Sequence, residues 1–425
     1  MTDIGYVSTR SPASQPVSFD EAMLAGLAPD GGLYVPTGLP RPADAVRNAA
    51  SPAEVAAAVL PDLLGSSSAE TLEVFTRALD FEFPVVELSG SRFVLELFHG
   101  PTAAFKDVGA RAMARLLDRS LAASGRRVTV LVATSGDTGG AVADAFAGLD
   151  NVAVAVLFPS GRVSDVQERQ LVARRQGVTA FAVDGTFDDC QRLVKGAFAD
   201  PDLAALGLST ANSINVARLL PQTVYYFWAA RQLADRLGSE PLSVIVPSGN
   251  LGYLTAGVLA ARMGVPAPSL VAAHNSNDYL VRFIHGSTGA YEFGPSIATV
   301  SNAMDVGAPS NFERLHALLA MGQGPSVNAY AVDDATTILR MRETYLRDGY
   351  LPCPHTAVGL EVADRWRDAG RGGGAAGRTA SGPVLVLATA HPAKFPAAVR
   401  QALDREPPAH AGLDALARAE RFVVP

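Results

Sequence analysis

Cysteine is scarce in this sequence, which contains only Cys190 and Cys353. The two lie far apart along the chain and match no metal-binding spacing, so a disulfide framework is disfavoured, no metal site is predicted and a reducing compartment is expected. Long apolar runs are also missing, since none approaches the roughly 20 residues that span a bilayer. The polar N-terminal residues 1–16 lack the apolar segment of a signal peptide. We therefore expect a cytoplasmic protein without a membrane partner.

Positive charge is in short supply as well. The chain has 35 Lys and Arg against 42 Asp and Glu, a formal net charge of -7, and no long basic cluster. A nucleic-acid-binding surface is therefore not expected. With 48% apolar and 18% charged residues, the composition is typical of a compact globular protein. The length of 425 residues indicates two to three domains.

The first 85 residues are predicted to be mainly helical. Ser18 and Glu21 form a capping-box pattern at the start of one helix. Two further helical patterns begin at Ser51 and Ser68, and the segment LYVP between them and the first helix is predicted to be extended. We find no set of catalytic side chains in this part, which is predicted to be a separate N-terminal module.

From about Phe93 onwards, short β-branched runs alternate with helical patterns. This alternation predicts parallel strands joined by helical crossovers, and the near-continuous apolar character of the strands predicts helices on both faces. The predicted fold class is therefore α/β, with open, doubly wound sheets in two lobes. The glycine-rich run 370–377 is predicted to be a surface loop. The predicted strands are FVLELF, VTVLVATS, VAVAVLFPS, TAFAVDG, SVIVPSGN, SLVAAHN and PVLVLATAH.

A lysine stands where a turn-rich run gives way to a helix. After Lys106, apolar residues recur at three- and four-residue steps, and Asp107 occupies the first helical turn. The positive end of a helix and the apolar wall of Phe105 both disfavour an ammonium charge, which lowers the pKa of a lysine and makes its amine a nucleophile for carbonyls. By itself, this pattern favours the ordinary alternative, a solvent-exposed lysine at a helix start.

Unusual sequences follow several of the predicted strands. Ligands of open α/β sheets bind beyond the carboxyl ends of the strands. Residues 134–140 (TSGDTGG) place small hydroxyl residues and glycines before a helix, where free backbone N–H groups can hold an anion such as a carboxylate. Residues 248–253 (SGNLGY) let the backbone approach a phosphate closely. An ordinary capped turn would use the same residues, so both interpretations stay open for each segment.

Two more segments are candidates for binding a ligand. Asn212, Ser213 and Arg218 are predicted to converge on a second anion, with a helix cap plus a surface arginine as the alternative. Thr389 ends a buried strand, where its hydroxyl can meet a ring nitrogen or merely satisfy the backbone. An amine for an aldehyde, a cradle for a phosphate and a partner for a ring nitrogen are together what pyridoxal 5′-phosphate requires.

Nearly the whole chain resembles the threonine synthases, which belong to the fold-type II pyridoxal-phosphate enzymes. The resemblance is carried by SFDEAMLAGLAPDGGLYVP, FHGPTAAFKD, ATSGDTGGAVADAF, ANSINVARLLPQ, VPSGNLG, SNAMDV, PHTAVG and TAHPAKF. The N-terminal module is similar to that of the longer threonine synthases, the bacterial and fungal branch of the family. The implied architecture resembles the tryptophan synthase β subunit. It has a module at 1–85 and a catalytic region at 86–425, with a small lobe of about 107–211 and a large lobe of about 86–106 and 212–425.

The resemblance implies a role for each candidate residue. Lys106 is implied to hold the cofactor as a Schiff base and to be the catalytic residue, with Phe105 beside it. Asp137 is implied to face the phenolic oxygen of the cofactor, where shorter relatives have asparagine. Thr389 is implied to face the pyridine nitrogen. The implied phosphate cradle is Gly249, Asn250, Leu251, Gly252 and Tyr253, and the implied substrate contacts are Thr134, Ser135, Thr138, Asn212, Ser213 and Arg218.

The implied reaction converts O-phospho-L-homoserine and water to L-threonine and phosphate, the last step of threonine biosynthesis, in a monomer or homodimer. Two alternatives remain at this point. One is a dehydratase or phospholyase with the same cofactor, and the other is a non-catalytic relative that binds a phosphorylated metabolite. Relatives often have SGNFGD where this chain has Tyr253 at the last position. His99, His355 and His391 adjoin Gly or Pro and are interpreted as structural hydrogen-bonding groups.

Overall fold

The computed structural model describes residues 4–42, 45–238, 240–322, 324–371, 382–416 and 418–424. Most of the predicted loop at 370–377 lies outside these residues. Within the described residues, the N-terminal part consists of four helices and a two-stranded antiparallel sheet. Their order is β1 (Tyr6–Ser8), α1 (Phe19–Ala25), β2 (Tyr34–Pro36), α2 (Pro52–Val59), α3 (Pro61–Leu64) and α4 (Ser68–Ala78).

Local sequence signals explain how these first helices begin and end. Ser18 and Glu21 form the predicted capping box of α1. The box of α4 uses Ser67, one residue before the predicted start. The predicted single helix from Ser51 is wrong. Pro61, which lacks an N–H donor, separates it into α2 and α3. The segment LYVP forms β2, as predicted, and pairs with β1, which was not predicted.

The larger sheet has six strands in the order β11-β10-β9-β12-β4-β3. All neighbours pair in parallel except β3 and β4. The strands β9, β10 and β12 are buried along their whole length, as expected for a sheet covered by helices on both faces. The six strands are β3 (Val85–Leu88), β4 (Arg92–Glu96), β9 (Ser243–Pro247), β10 (Ser269–His274), β11 (Ser326–Ala331) and β12 (Val384–Ala388).

The smaller sheet has five parallel strands in the order β13-β7-β6-β5-β8. These are β5 (Val128–Ala133), β6 (Val152–Pro159), β7 (Val178–Val183), β8 (Leu208–Thr210) and β13 (Val423–Val424). All seven predicted α/β strands form. The strands β3, β8, β11 and β13 were not predicted. β3, β8 and β13 have only two to four residues, too few to show a clear period of two, and β11 lacks the near-continuous apolar run of the predicted strands.

The helices after the N-terminal part connect and cover the two sheets. They are α5 (Lys106–Ser124), α6 (Asp137–Ala145), α7 (Asp165–Val172), α8 (Phe187–Ala199), α9 (Val216–Leu219), α10 (Thr223–Leu237), α11 (Gly252–Arg262), α12 (Tyr279–Ile284), α13 (Phe312–Ala320), α14 (Asp334–Asp348), α15 (Pro354–Arg371), α16 (Pro396–Leu403) and α17 (Ala411–Leu416). No helix in the described part of the chain combines the length and apolar character needed to cross a bilayer.

The boundaries of the predicted module and lobes stay predictions. The N-terminal helices share a hydrophobic core with the rest of the chain, since α2 packs on α10 and α4 packs on α5. The C-terminal strand Val423–Val424 pairs with β7 of the smaller sheet, although its residues fall in the range predicted for the large lobe. Chain order alone therefore does not divide the molecule into its two sheets.

Candidate active site

The carboxyl ends of strands from both sheets open on one cavity of about 170 Å³. Strands β5 and β8 contribute from the smaller sheet, and β9 and β12 contribute from the larger one. This is where the topology of open α/β sheets places ligand sites. Every residue predicted for the site lines this cavity. They are Phe105, Lys106, Thr134, Ser135, Asp137, Thr138, Asn212, Ser213, Arg218, Gly249, Asn250, Leu251, Gly252, Tyr253 and Thr389.

Lys106 is the first residue of α5, as the helical pattern predicted. Burial lowers the pKa of its amine from 10.5 to about 8, Asp137 opposes this decrease, and Lys394 and Arg218 add to it. The lowered pKa agrees with the sequence prediction, but the dominant cause is removal of the amine from water. A substantial fraction of the amine is therefore neutral, and so nucleophilic, near pH 8.

Asp107 is fully buried and accepts hydrogen bonds from the backbone N–H and the hydroxyl of Thr102. Burial raises the pKa of this carboxyl to about 6. Gly100 fits closely above it, because a Cβ at Gly100 would lie 2.5 Å from Asp107 Oδ2. Asp107 thus anchors the turn before α5 and keeps Lys106 at the helix start.

The segment 134–138 forms the turn between β5 and α6. The Thr134 hydroxyl donates to Gly136 O and accepts from the N–H groups of Gly136 and Gly139, so its hydrogen bonds are used inside the turn. Ser135 and Thr138 are half-buried and line the cavity. The first N–H groups of α6 have no partner within the helix. The geometry therefore offers an anion the two hydroxyls and the start of α6 rather than Thr134.

Asp137 is almost fully buried and is paired with a lysine that the sequence prediction did not assign. Asp137 Oδ1 lies 2.7 Å from Lys394 Nζ and accepts from Gln167 Nε2 at 3.1 Å. Burial acts against the charge of Asp137, yet Lys394 and then Lys106 hold its pKa well below the ordinary range. Asp137 therefore faces the cavity as a carboxylate, and its pairing with Lys394 stabilises the negative charge there.

The segment 248–253 joins β9 to α11 and stays close to neighbouring backbone. Leu251 has a positive φ of 63°, and a Cβ at Gly249 would lie 2.8 Å from Met304 Cα. The Tyr253 ring stacks on Phe105, with centroids 4.5 Å apart, and its phenolic oxygen is buried without a hydrogen-bond partner among the described residues. The unusual Tyr253 therefore packs beside the residue that precedes Lys106.

Replacing Gly249 with alanine is expected to lower the free energy of unfolding by about 1–3 kcal/mol, because the added methyl group meets backbone that cannot move aside cheaply. Chemical denaturation monitored by circular dichroism measures this. Gly294→Ala is the matched control, since a Cβ there meets nothing within 4 Å. Equal stability of the two variants would contradict the close approach of the 248–253 segment to Met304.

The segment 212–218 lies between β8 and α10. Asn212 Nδ2 donates to Ala133 O at 3.0 Å, and the Ser213 hydroxyl accepts from Asn250 and Asn311 at 2.8 and 3.0 Å. Arg218 is buried and donates from Nη1 to Ala211 O, whereas its Nε has no partner among the described residues. Burial lowers the pKa of Arg218 to about 10. A buried, incompletely paired guanidinium is suited to an anionic ligand.

Thr389 follows β12 and lies over a small polar cluster. Its hydroxyl is 3.6 Å from Cys353 Sγ, and its N–H donates to the Thr356 hydroxyl at 3.3 Å. His355 lines the same wall and accepts at Nε2 from Ala303 N at 3.0 Å. Burial lowers the pKa of His355 to about 4, so it is neutral at neutral pH. Its bond to the 301–306 segment agrees with the predicted structural role.

Sequence reasoning missed several residues of the cavity wall. On α8, Phe187, Gln191, Val194, Lys195 and Phe198 follow a helical spacing, which alone indicates only a buried helix face. Ala303 and Met304 of SNAMDV also line the cavity but were given no role, and His355 of PHTAVG was given only a structural one. Lys394 of TAHPAKF, which pairs with the cavity residue Asp137, was given no role either.

Comparisons with known proteins show what the chain is similar to. Residues 37–386 match the family of pyridoxal-phosphate dependent enzymes, and residues 356–424 match the C-terminal region of threonine synthases. Threonine synthase of Pseudomonas aeruginosa is 39% identical, covering 99% of this chain and 95% of its own. That of Escherichia coli is 42% identical, covering 92% and 89%. The pyridoxal-phosphate-bound threonine synthase of Brucella melitensis superposes with a TM-score of 0.85 at 40% identity, covering 99% and 96%.

Proposed function

Because the chain belongs to the threonine synthase family of pyridoxal-phosphate-dependent enzymes, we propose that it converts O-phospho-L-homoserine and water to L-threonine and phosphate. The family confirms the predicted fold type, the lyase activity and pyridoxal 5′-phosphate as the cofactor. The observation that carries the proposal is the Lys106 amine with its lowered pKa, in a cavity rimmed by anion-binding segments.

The cavity residues fit this cofactor. The Tyr253 phenolic oxygen, buried in the cavity wall, has no partner among the described residues and suits a ligand rich in oxygen atoms. Lys106 is the amine for the aldehyde, and the start of α11 with residues 249–253 is the cradle for the cofactor phosphate. The Thr389 hydroxyl would meet the pyridine nitrogen, Asp137 would face the phenolic oxygen, and Phe105 would lie beside Lys106.

When bound, pyridoxal phosphate supplies an electron sink for negative charge that develops on the substrate carbons. Lys106, once the substrate amine has replaced it, is the base that takes the proton from Cα and later returns one. A proton leaves Cβ, and the Cγ–O bond breaks as phosphate departs. The oxygen of water then bonds to Cβ with release of one water proton, and a proton added at Cγ completes the methyl group. Asp137, as a carboxylate paired with Lys394, stays an acceptor throughout.

Two sets of residues would orient the substrate. Ser135, Thr138 and the start of α6, shaped by Thr134, would bind its carboxylate. Asn212, Ser213 and Arg218 would bind its phosphate, with Arg218 as the charged group. The substrate would thus lie between the two sheets, with Cα towards Lys106.

An end-product assay tests the proposed function. Purified protein with O-phosphohomoserine should release phosphate and threonine in equal amounts, identified by chromatography. Phosphate with 2-oxobutyrate would move the protein to the phospholyase alternative, which uses the same cofactor and the same lysine. No phosphate from protein that holds the cofactor would overturn the assignment of the substrate. A cytoplasmic location and a monomeric or homodimeric state stay predictions.

A further inference from the structure

Lys394 is a fully buried lysine outside the residues proposed to contact cofactor or substrate. It ends the short 3₁₀ helix Pro392–Lys394 that follows β12. Its ammonium lies 2.7 Å from Asp137 Oδ1 and donates to Thr102 O at 3.0 Å. A buried ammonium is costly unless it is paired and hydrogen-bonded, and here both conditions hold. The pair joins the C-terminal segment to the first residue of α6.

The partner of Lys394 is held in one position from a second side. Gln167 Nε2 donates to Asp137 Oδ1 at 3.1 Å, and the Oε1 of Gln167 accepts from Asn302 Nδ2 at 3.1 Å. Gly136 lies tightly against Gln167, since a Cβ there would be 2.6 Å from that side chain. The carboxylate of Asp137 is therefore fixed at the cavity wall, close enough for its charge to act on Lys106.

Lysine is used sparingly in this chain. The sequence contains three lysines, Lys106, Lys195 and Lys394, and apart from its seven histidines every other basic residue is arginine. Two of the three line the cavity, and the third is paired with a cavity residue. An ammonium is a compact point charge, whereas a guanidinium is a larger planar fork. The buried position at Asp137 therefore suits the smaller cation.

Charged and titratable groups from several elements face the amine of Lys106. His355 is neutral because burial lowers its pKa, and burial raises the pKa of Tyr253, which keeps the phenol neutral. The remaining charges are one carboxylate, which favours the protonated amine, and two cations, which disfavour it. These groups are Asp137, Lys394, Arg218, His355 and Tyr253.

We propose that the ammonium of Lys394, 2.7 Å from Asp137 Oδ1, is the counter-charge of this carboxylate, and that the two opposite charges together set the pH range in which the nitrogen of Lys106 gives up its proton. Lys394 is not among the residues proposed to contact cofactor or substrate, so it acts on Lys106 by its charge, in the direction opposite to Asp137. The inference rests on the proposed function only in taking Lys106 as the reactive amine.

Three variants test this proposal: Asp137→Asn, Lys394→Met and the double variant. The readout is a pH titration of the visible absorption of the holoenzyme, which reports whether the nitrogen of Lys106 is protonated. Asp137→Asn should lower the midpoint by about one pH unit, because an anion is lost, and Lys394→Met should raise it by about one unit, because a cation is lost. The double variant should return to within about half a unit of the wild type, since both charges are gone.

A residue that merely fills space would not give shifts of opposite sign. If Lys394→Met titrates like the wild type, or shifts in the same direction as Asp137→Asn, the proposal is wrong. If Lys394→Met does not fold, the double variant is compared with Asp137→Asn. A midpoint about one unit higher in the double variant supports the proposal, and equal midpoints overturn it.

A second measurement covers variants that lose the cofactor. The pH dependence of acylation of Lys106 in the full-length cofactor-free chain is followed by peptide mass spectrometry against a reference amine. With three lysines in the chain, the modified peptide is easily assigned. The pH midpoint of acylation should fall in Asp137→Asn and rise in Lys394→Met, as in the absorption titration. Midpoints that do not shift in these directions overturn the proposal. Neither titration contains substrate, so a wrong substrate assignment would appear only in the product assay.

Discussion

Replacing Lys106 with alanine is expected to reduce threonine formation by at least about 10³–10⁴-fold, because the variant loses both the amine that captures the cofactor and the base for Cα. No other lysine can take over. Lys394 is committed to Asp137, and Lys195 lies on α8 at the mouth of the cavity. Steady-state assays with O-phosphohomoserine measure the loss, and a variant with a near-normal rate would refute the role of Lys106.

Two controls separate the chemistry of Lys106 from its charge. Lys106→Arg keeps a cation, but a guanidinium stays protonated at neutral pH and cannot capture an aldehyde, so this variant should be as inactive as Lys106→Ala. A small primary amine in the buffer should partly restore the alanine variant, whereas a purely structural loss would not respond. Borohydride reduction of the wild-type holoenzyme should mark the peptide of Lys106 and neither of the other two lysines.

Replacing Arg218 with alanine is expected to weaken binding of the phosphorylated substrate by roughly 1.5–3 kcal/mol, or about 10- to 150-fold, because a charged hydrogen bond to phosphate is lost. Arg218 is buried, and its Nε has no partner among the described residues, so the guanidinium has capacity for a ligand. The apparent affinity for O-phosphohomoserine measures the effect, and an unchanged value would remove Arg218 from the site.

The matched ligand for this variant is homoserine, which has the same amine and carboxylate but no phosphate. Its affinity, read from the cofactor spectrum, should change little between wild type and Arg218→Ala. Arg218→Lys should recover part of the loss, since it restores the charge without the planar fork. An equal loss for both ligands would instead show that Arg218 supports the fold around Ala211, to which it also donates.

Short-range signals in the sequence predicted most of what lies within one element. The capping box at Ser18, the start of α5 at Lys106 and the seven α/β strands depend on residues a few positions apart, and all of them form. The rule that ligands bind beyond the carboxyl ends of strands then predicted which turns meet in one cavity. Where local patterns were weak, as in β8 and β13, the prediction missed the element.

Only the tertiary structure decided the charge pairing and the pKa values of the groups in the site. Lys394 and Asp137 are separated by most of the catalytic region, and no sequence spacing indicates that their side chains meet at 2.7 Å. The pKa of Lys106 likewise depends on how much water the assembled walls exclude, and α8 supplies one of those walls with residues that look like an ordinary buried face. The sequence by itself determined which groups are present and where the strongly patterned elements form. Burial and charge pairing depend on distances through space, so they were settled only when the two sheets came together.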